Sequence, residues 1–449
     1  MEDTGRRNKI FSNKDLFKLI IPLLIEQALA MAVGMADTIM VAAAGESAVS
    51  AVSLVDNINI LLINIFAALA TGGAVVCGQF IGKKQTRRAC FAADQLILFT
   101  TVVSFLIMIV LYIAKEWVLT TVFGKIEPDV KAQADIYFSI VMASIPFISL
   151  YNACAAIFRT IGNSKISMIT SLVMNGINVV GNAILVYGFS AGVVGVAIPT
   201  LISRIVAAFA IYILLRNQNL LIHASEIPII KPEFVFIKKI LHIGIPSGLE
   251  NSMFQLGRIM VLSLISTLGT ASITANAVAN NIASFQGLPG VAINIALITV
   301  ISRCVGAHDY KQARYYTKKL IGISMAGILL MNAIVIILLP VLLDLYNLSD
   351  ITYSYANKII IFYAIVSTII HQISFGLPNT LRAANDVKFT MIVSIFSMWI
   401  FRIGCSYLFV NQFNMGLFGV WVAMVVDWIV RSIFFVIRYT SKKWELHVI

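Results

Sequence analysis

The sequence predicts an all-α integral membrane protein: twelve transmembrane helices in two homologous six-helix lobes, related by a pseudo-two-fold axis along the membrane normal. Three observations predict it. The first is composition. The chain has 449 residues, 59% hydrophobic and 12% charged, where a soluble domain averages about 25% charged. About a dozen spans of roughly 20–25 residues use most of this length and leave little for a soluble domain. The second is charge placement. Of the 33 lysines and arginines, 25 fall in one alternating set of loops. Four (Lys115, Lys125, Lys131, Lys358) fall in the opposite set, and four (Arg204, Arg258, Arg402, Arg431) within spans. By the positive-inside rule both termini and the central linker are cytoplasmic, which requires an even number of spans. The same placement sets aside a nucleic-acid reading of the net charge of +12. The third is an internal repeat. At a shift of 224, Pro22 meets Pro246, Glu26 meets Glu250, Gly45 meets Gly269, Asn57 meets Asn281 and Gly82 meets Gly306. Arg159 meets Arg382 at 223, and Gly195-Val196 meets Gly419-Val420 at 224. Six spans per copy give both copies the same orientation, as in parallel-repeat transporters.

In order, residues 1–15 form a polar, basic cytoplasmic tail, in which Ser12 with Asp15 resembles a capping box opening the first helix. No small-residue cleavage site follows a short apolar run, so the first span reads as retained. The N-terminal lobe covers 16–215, with spans at 16–41, 50–80, 91–114, 131–157, 165–188 and 192–215. A polar linker, 216–236, carries Arg216, Asn217, Gln218, His223, Glu226, Pro228, Lys231 and Pro232. The C-terminal lobe covers 237–438, with spans at 237–267, 274–302, 315–343, 353–381, 387–410 and 416–438, before a cytoplasmic tail at 439–449. The five cysteines are odd in number, lack C-x-x-C spacing and lie in or beside apolar segments. They read as neither a metal site nor a disulfide framework.

Span one carries two carboxylates, Glu26 and Asp37. Eleven residues at about 100° each put them on nearly one face, about 16 Å apart along an unkinked axis; Pro22 can bend that axis. A charge near the bilayer centre costs at least about 2.5–3.5 kcal/mol, so an intramembrane acid marks an ion or substrate pathway by default. The plainer alternative is one carboxylate in a solvated vestibule. In span five, Asn175, Asn178 and Asn182 share a face, and span six offers Thr200. One carboxylate with amide and hydroxyl oxygens suits a hard monovalent cation, or a carboxyl whose proton is controlled by hydrogen bonds. Taken alone, such asparagines more often serve interhelical hydrogen bonding, worth about 0.6 kcal/mol on average in membranes.

Here the chain resembles the multidrug and toxic compound extrusion (MATE) family over nearly its whole length. The motifs are Gly34-Met35-Ala36-Asp37-Thr38, Asn178-x3-Asn182 before Tyr187-Gly188, and the run from Gly195 to Thr200. The resemblance implies a cation or proton coupling site at Asp37, Asn178, Asn182 and Thr200. In some relatives the second span-five position is an aspartate; Asn182 removes that charge. It implies a cation-coupled antiporter, using H+ and/or Na+, that exports organic, mostly cationic amphiphiles by alternating access. No cofactor is implied, and no metal beyond a possible Na+ at the coupling site. The expected partners are small organic substrates and membrane lipids, with no nucleic acid, for a monomer in the cell membrane. The alternative is a lipid-linked or polysaccharide precursor flippase of the wider superfamily.

Some relatives use a span-seven glutamate nine residues after the proline. Here that position is Gln255 and the acid is Glu250, so no C-terminal cation site carries over. Glu26, Glu250, Gln255 and Arg258 are cavity or substrate candidates; Glu250 pairing with Arg258, and Arg258 facing Asp37, both stay open. His371, among Ile369, Ile370 and Ile373, reads as a hydrogen-bonded packing residue. The aromatic residues Phe66, Tyr137, Tyr151, Phe285 and Tyr363 read mainly as lipid-facing or core. No metal-ligand cluster or nucleophile elbow suggests an enzyme, and Gly82-Lys83-Lys84-Gln85-Thr86 lacks P-loop spacing.

Overall fold

The computed structural model describes residues 9–124, 126–225 and 231–446. The expectations for Arg6, Arg7, Lys125, Glu226 and Pro228 concern residues outside these. Twelve long helices form: α1 (Asn13–Ala43), α2 (Glu46–Gly82), α3 (Thr86–Ile113), α4 (Pro128–Thr160), α5 (Ser164–Gly188) and α6 (Val194–Leu215), then α7 (Phe234–Ser266), α8 (Thr270–Gly306), α9 (Tyr310–Asp344), α10 (Asp350–Ala383), α11 (Val387–Asn411) and α12 (Gly416–Thr440). Among the described residues there is no strand. Each expected span falls inside, or within two residues of, one of these helices. Eleven are long and apolar enough to cross a membrane. The other, α7, is 33 residues long, but Glu250, Asn251, Gln255 and Arg258 dilute its apolar run.

The repeat is visible in the backbone. The first six helices have 31, 37, 28, 33, 25 and 22 residues, and the second six 33, 37, 35, 34, 25 and 25. Left-handed turn residues recur at the same 224-residue shift. They are Lys84 and His308 (φ 60° and 54°), Ser190 and Asn414 (both 50°), and Gly192 and Gly416 (56° and 55°). Gly45 and Gly269, with φ of 103° and 90°, immediately precede the two 37-residue helices α2 and α8. Absence of a Cβ permits that turn.

The chain divides into two compact units, Asn13–Gly248, and Leu249–Ile449 with residues 1–12. In the first, α1 packs on α5, α5 on α6, and α2 on α4. α2 meets the N-terminal part of α7 backbone to backbone: a Cβ on Gly72 would lie 2.5 Å from the Ile240 carbonyl oxygen and 3.0 Å from the Gly244 nitrogen. In the second unit α8 packs on α9 and α10, and α10 on α12. Its apolar core includes Val261, Ile282, Leu339, Ile360 and Trp421. Tyr316 of α9 accepts from the Phe11 amide (3.1 Å) and donates to the Phe11 carbonyl (2.6 Å), while the Ile10 amide donates to Gln312 Oε1 at 2.9 Å.

Three segments widen to π-helical geometry: Val118–Val122, Ile184–Gly188 and Met398–Gly404. Single π turns inside α-helices recur at functional sites. The second begins two residues after Asn182, and the third contains Arg402.

Candidate functional site

The structure brings Asp37, Asn178, Asn182 and Thr200 together inside the first unit. Asn178 and Asn182 lie one turn apart on α5 and are buried, while Asp37 on α1 is half-buried. Asn182 Nδ2 donates to Asp37 Oδ1 at 2.9 Å. α5 comes close to α6 at a small residue: a Cβ on Gly181 would stand 2.7 Å from Pro199 Cβ. That approach sets Asn178 against Thr200.

The Asn178 amide bridges the two, and its orientation follows from its neighbours. With its nitrogen toward Asp37 it donates to Oδ1 and Oδ2 at 2.9 and 3.1 Å, and its oxygen accepts from Thr200 Oγ1 at 3.0 Å. This pattern satisfies an ionised carboxylate, which only accepts. Turned over, the amide donates to Thr200 Oγ1 at 3.0 Å and Thr200 donates to the Val196 carbonyl at 2.9 Å. The amide oxygen then faces the carboxyl, where a protonated Asp37 would donate to it. Thr200 has one hydroxyl hydrogen, so the two patterns exclude each other.

Beside this group lies a second network that the sequence analysis missed. Asp56 of α2 accepts from Tyr137 Oη at 3.1 Å and from Asn59 Nδ2 at 3.4 Å. Arg204 Nη1 donates to Asn59 Oδ1 at 3.2 Å and to Ser144 Oγ at 2.7 Å. Asp56 is close enough to act electrostatically on Asp37. The available signal was an acid inside an otherwise apolar span, with Ser53 and Asn59 three residues to either side. Tyr137 thus belongs to a polar network as well as to the packed interior.

The remaining candidates stand elsewhere. Glu26 is buried and forms an ion pair with Arg159, and its Oε2 accepts from Ser167 Oγ at 3.0 Å. Glu250 makes the matching contact in the second unit, accepting from Arg382 Nη2 at 2.6 Å, while Arg382 Nη1 donates to Asn379 Oδ1 at 2.8 Å. Of the two open pairings for span seven, neither is the contact Glu250 makes. Each unit therefore ties its first helix to the end of its fourth with one glutamate and one arginine. Gln255 is half-buried, and Arg258 is exposed with no ion pair among the described residues. A cavity of about 960 Å³ in the first unit, lined by Lys84, Arg87, Arg88, Asp94 and His223, contains none of these candidates. Among the described residues no group of three or more His, Cys, Asp or Glu could hold a metal ion.

Comparison with known proteins agrees with this architecture. The MatE family model matches twice, over residues 22–184 and 246–408. The chain is 29% identical over 448 residues to the uncharacterized transporter YisQ of Bacillus subtilis (strain 168), covering 97% of this chain and 95% of that protein. It is 24% identical to the probable multidrug resistance protein NorM of Thermotoga maritima, over 96% and 93% of the two chains. A solved outward-facing structure of a multidrug resistance MATE family transporter superposes with a TM-score of 0.89 at 21% identity, covering 96% of each chain. A family model matched over both halves of a chain of membrane-crossing helices leads to one conclusion: this multi-pass membrane protein belongs to the MATE family of transporters.

Proposed function

We propose that the protein is a cation-coupled antiporter of the cell membrane that exports organic, mostly cationic amphiphiles, with Asp37 as the coupling acid. The observation that carries the reading is the Asp37 carboxyl on a membrane-crossing helix, held by Asn182 and Asn178 and without an ion-pair partner among the described residues. The relatives named for multidrug resistance support the substrate class. Proton rather than sodium coupling fits the donor set best. Amide N–H groups face the carboxylate where a metal ion would need oxygen ligands; they hold its ionised form, and the neutral acid is accommodated when the Asn178 amide presents its oxygen instead. The Asn178 amide and the Thr200 hydroxyl serve either protonation state by reversing their donor and acceptor roles. In reconstituted vesicles, an imposed proton gradient should drive substrate accumulation and an imposed sodium gradient at fixed pH should not. Sodium-driven accumulation without a proton gradient refutes the proton assignment.

In this reading the coupling lobe is 16–215, a cytoplasmic linker at 216–236 leads to the lobe 237–438, both termini are cytoplasmic, and the protein acts as a monomer. Orientation has a direct measurement. A cysteine at position 84, in a Cys90→Ser background because Cys90 is partly exposed nearby, should be labelled only from the cytoplasmic side. Labelling from outside intact cells by an impermeant maleimide reverses the topology.

A further inference from the structure

The second unit contains a buried polar cluster that the coupling reading does not use, and its charge is opposite to that of the Asp37 site. Arg431 is 2% exposed and Asp427 is fully buried. They form an ion pair one turn apart on α12, and Ser397 Oγ donates to Asp427 Oδ1 at 2.5 Å. The Arg431 guanidinium lies 4.8 Å from the Phe254 ring and 5.1 Å from the Phe375 ring. Arg402, from the π-helical segment of α11, lies 5.7 Å from the same Phe254 ring. The charged side chains close enough to act on Arg402 are Asp427, Arg431 and Arg258. One carboxylate, already paired, stands among three guanidinium groups.

The unpartnered atoms of the cluster point the same way. Arg402 Nε and Trp428 Nε1 are buried with no hydrogen-bond partner among the described residues, as is His371 Nδ1. Trp428 is 3% exposed. Its ring lies 5.3 Å from His371, 5.5 Å from Phe375 and 5.7 Å from Tyr363, which itself is near enough to act on Arg402. Arginine and indole N–H groups can only donate. A buried donor without an acceptor costs about 1–3 kcal/mol, and more when charged. An acceptor carrying negative charge answers both the orphaned donors and the excess positive charge.

The repeat sharpens the contrast. At the 224-residue shift Arg402 stands where the first lobe has Asn178, Trp428 where it has Arg204, and Val261 where it has Asp37. One copy of the duplicated fold is built around an unpaired acid, the other around an unpaired base. His371, expected as a hydrogen-bonded packing residue, packs instead at a tilt 4.8 Å from the Phe375 ring, with Nδ1 unpartnered among the described residues.

We propose that the C-terminal unit holds a binding site for the carboxylate of an amphiphilic organic anion, with Arg402 as its principal ligand and Phe254, Phe375 and Trp428 as apolar walls. A planar guanidinium matches a carboxylate two bonds at a time, and aromatic faces suit the apolar body of such a molecule. The proposal adds an anionic class beside the mostly cationic one proposed above, and rests on the transport reading only for the bound anion being a transported solute; the first lobe would take the driving ion and the second a substrate carboxylate.

The test is equilibrium binding of radiolabelled benzoate to the purified protein in detergent, with neutral benzamide and chloride as comparisons. Benzoate should bind saturably and raise the thermal unfolding midpoint, while benzamide does neither. Arg402→Gln should weaken benzoate binding roughly ten- to a hundred-fold, the worth of a charged hydrogen bond. Arg402→Lys, which keeps the charge but not the planar fork, should fall between and serves if the glutamine variant does not fold. Equal benzoate affinity in the parent and either variant, or no saturable binding by the parent, overturns the site. Displacement by chloride as effective as by benzoate itself overturns the carboxylate assignment. Binding in detergent needs no gradient, so these failures are separate from a failure of coupling at Asp37.

Discussion

Asp37→Asn should abolish gradient-driven substrate accumulation in reconstituted vesicles while leaving the protein folded. The substitution keeps the size of the side chain and one acceptor oxygen for Asn182 Nδ2, which donates at 2.9 Å in the parent. It removes the only group in the Asp37–Asn178–Asn182–Thr200 cluster able to gain or lose a proton. One charge crossing the membrane gains about 2.3 kcal/mol per 100 mV. At about 1.4 kcal/mol per tenfold, that sustains roughly a fifty-fold gradient of substrate. A coupling acid that cannot ionise forfeits all of it, so accumulation should fall to equilibration. A variant that still accumulates substrate at the parent rate under proton and sodium gradients removes Asp37 from the coupling step. Thr200→Val adds a finer readout. It deletes the hydroxyl that meets the Asn178 amide at 3.0 Å, and should slow coupled transport less than Asp37→Asn does.

The second large effect concerns stability. Glu250→Gln or Arg382→Gln alone should each destabilise the protein by about 3–5 kcal/mol, because each leaves a buried charge unpaired. Both carboxylate and guanidinium are largely buried, at 9% and 16% side-chain exposure. The double variant should be more stable than either single one, since removing both charges removes the unpaired-charge penalty. Thermal unfolding in detergent of the four proteins measures the coupling. Single effects that simply add would mean that the pair contributes no interaction. Glu26 and Arg159 should behave the same way, as the corresponding contact in the other unit.

The helices were legible because two independent signals agree: long apolar runs set their extent, and lysine and arginine placement sets their number. α7 tests the limit, because its polar interior hides a 33-residue helix that only the repeat and charge alternation reveal. In the site, Asn178 and Asn182 announce themselves by sharing a face one turn apart. Asp56 does not, because Tyr137 reaches it from another helix, 81 residues away. Arg159 and Arg382 were legible as repeats of each other but not as partners of Glu26 and Glu250. They were counted among the loop cations, where the positive-inside rule already explained them. Local spacing exposes contacts within one helix; contacts between helices need the fold.

Those two glutamate–arginine ties join residues 133 and 132 positions apart. Synthesis at about 5–20 residues per second puts roughly 7–27 seconds between each acid and its partner. During that interval the chain contains Glu26 but not yet Arg159. Both arginines offer it the same chemistry, which makes mispairing between the duplicated halves a real hazard of biogenesis. The order of the chain removes it. Arg159 is made before Glu250 and Arg382 exist, so the first acid meets its own arginine before the second emerges. Chain order thereby supplies a discrimination that two near-identical binding partners do not carry in their own chemistry.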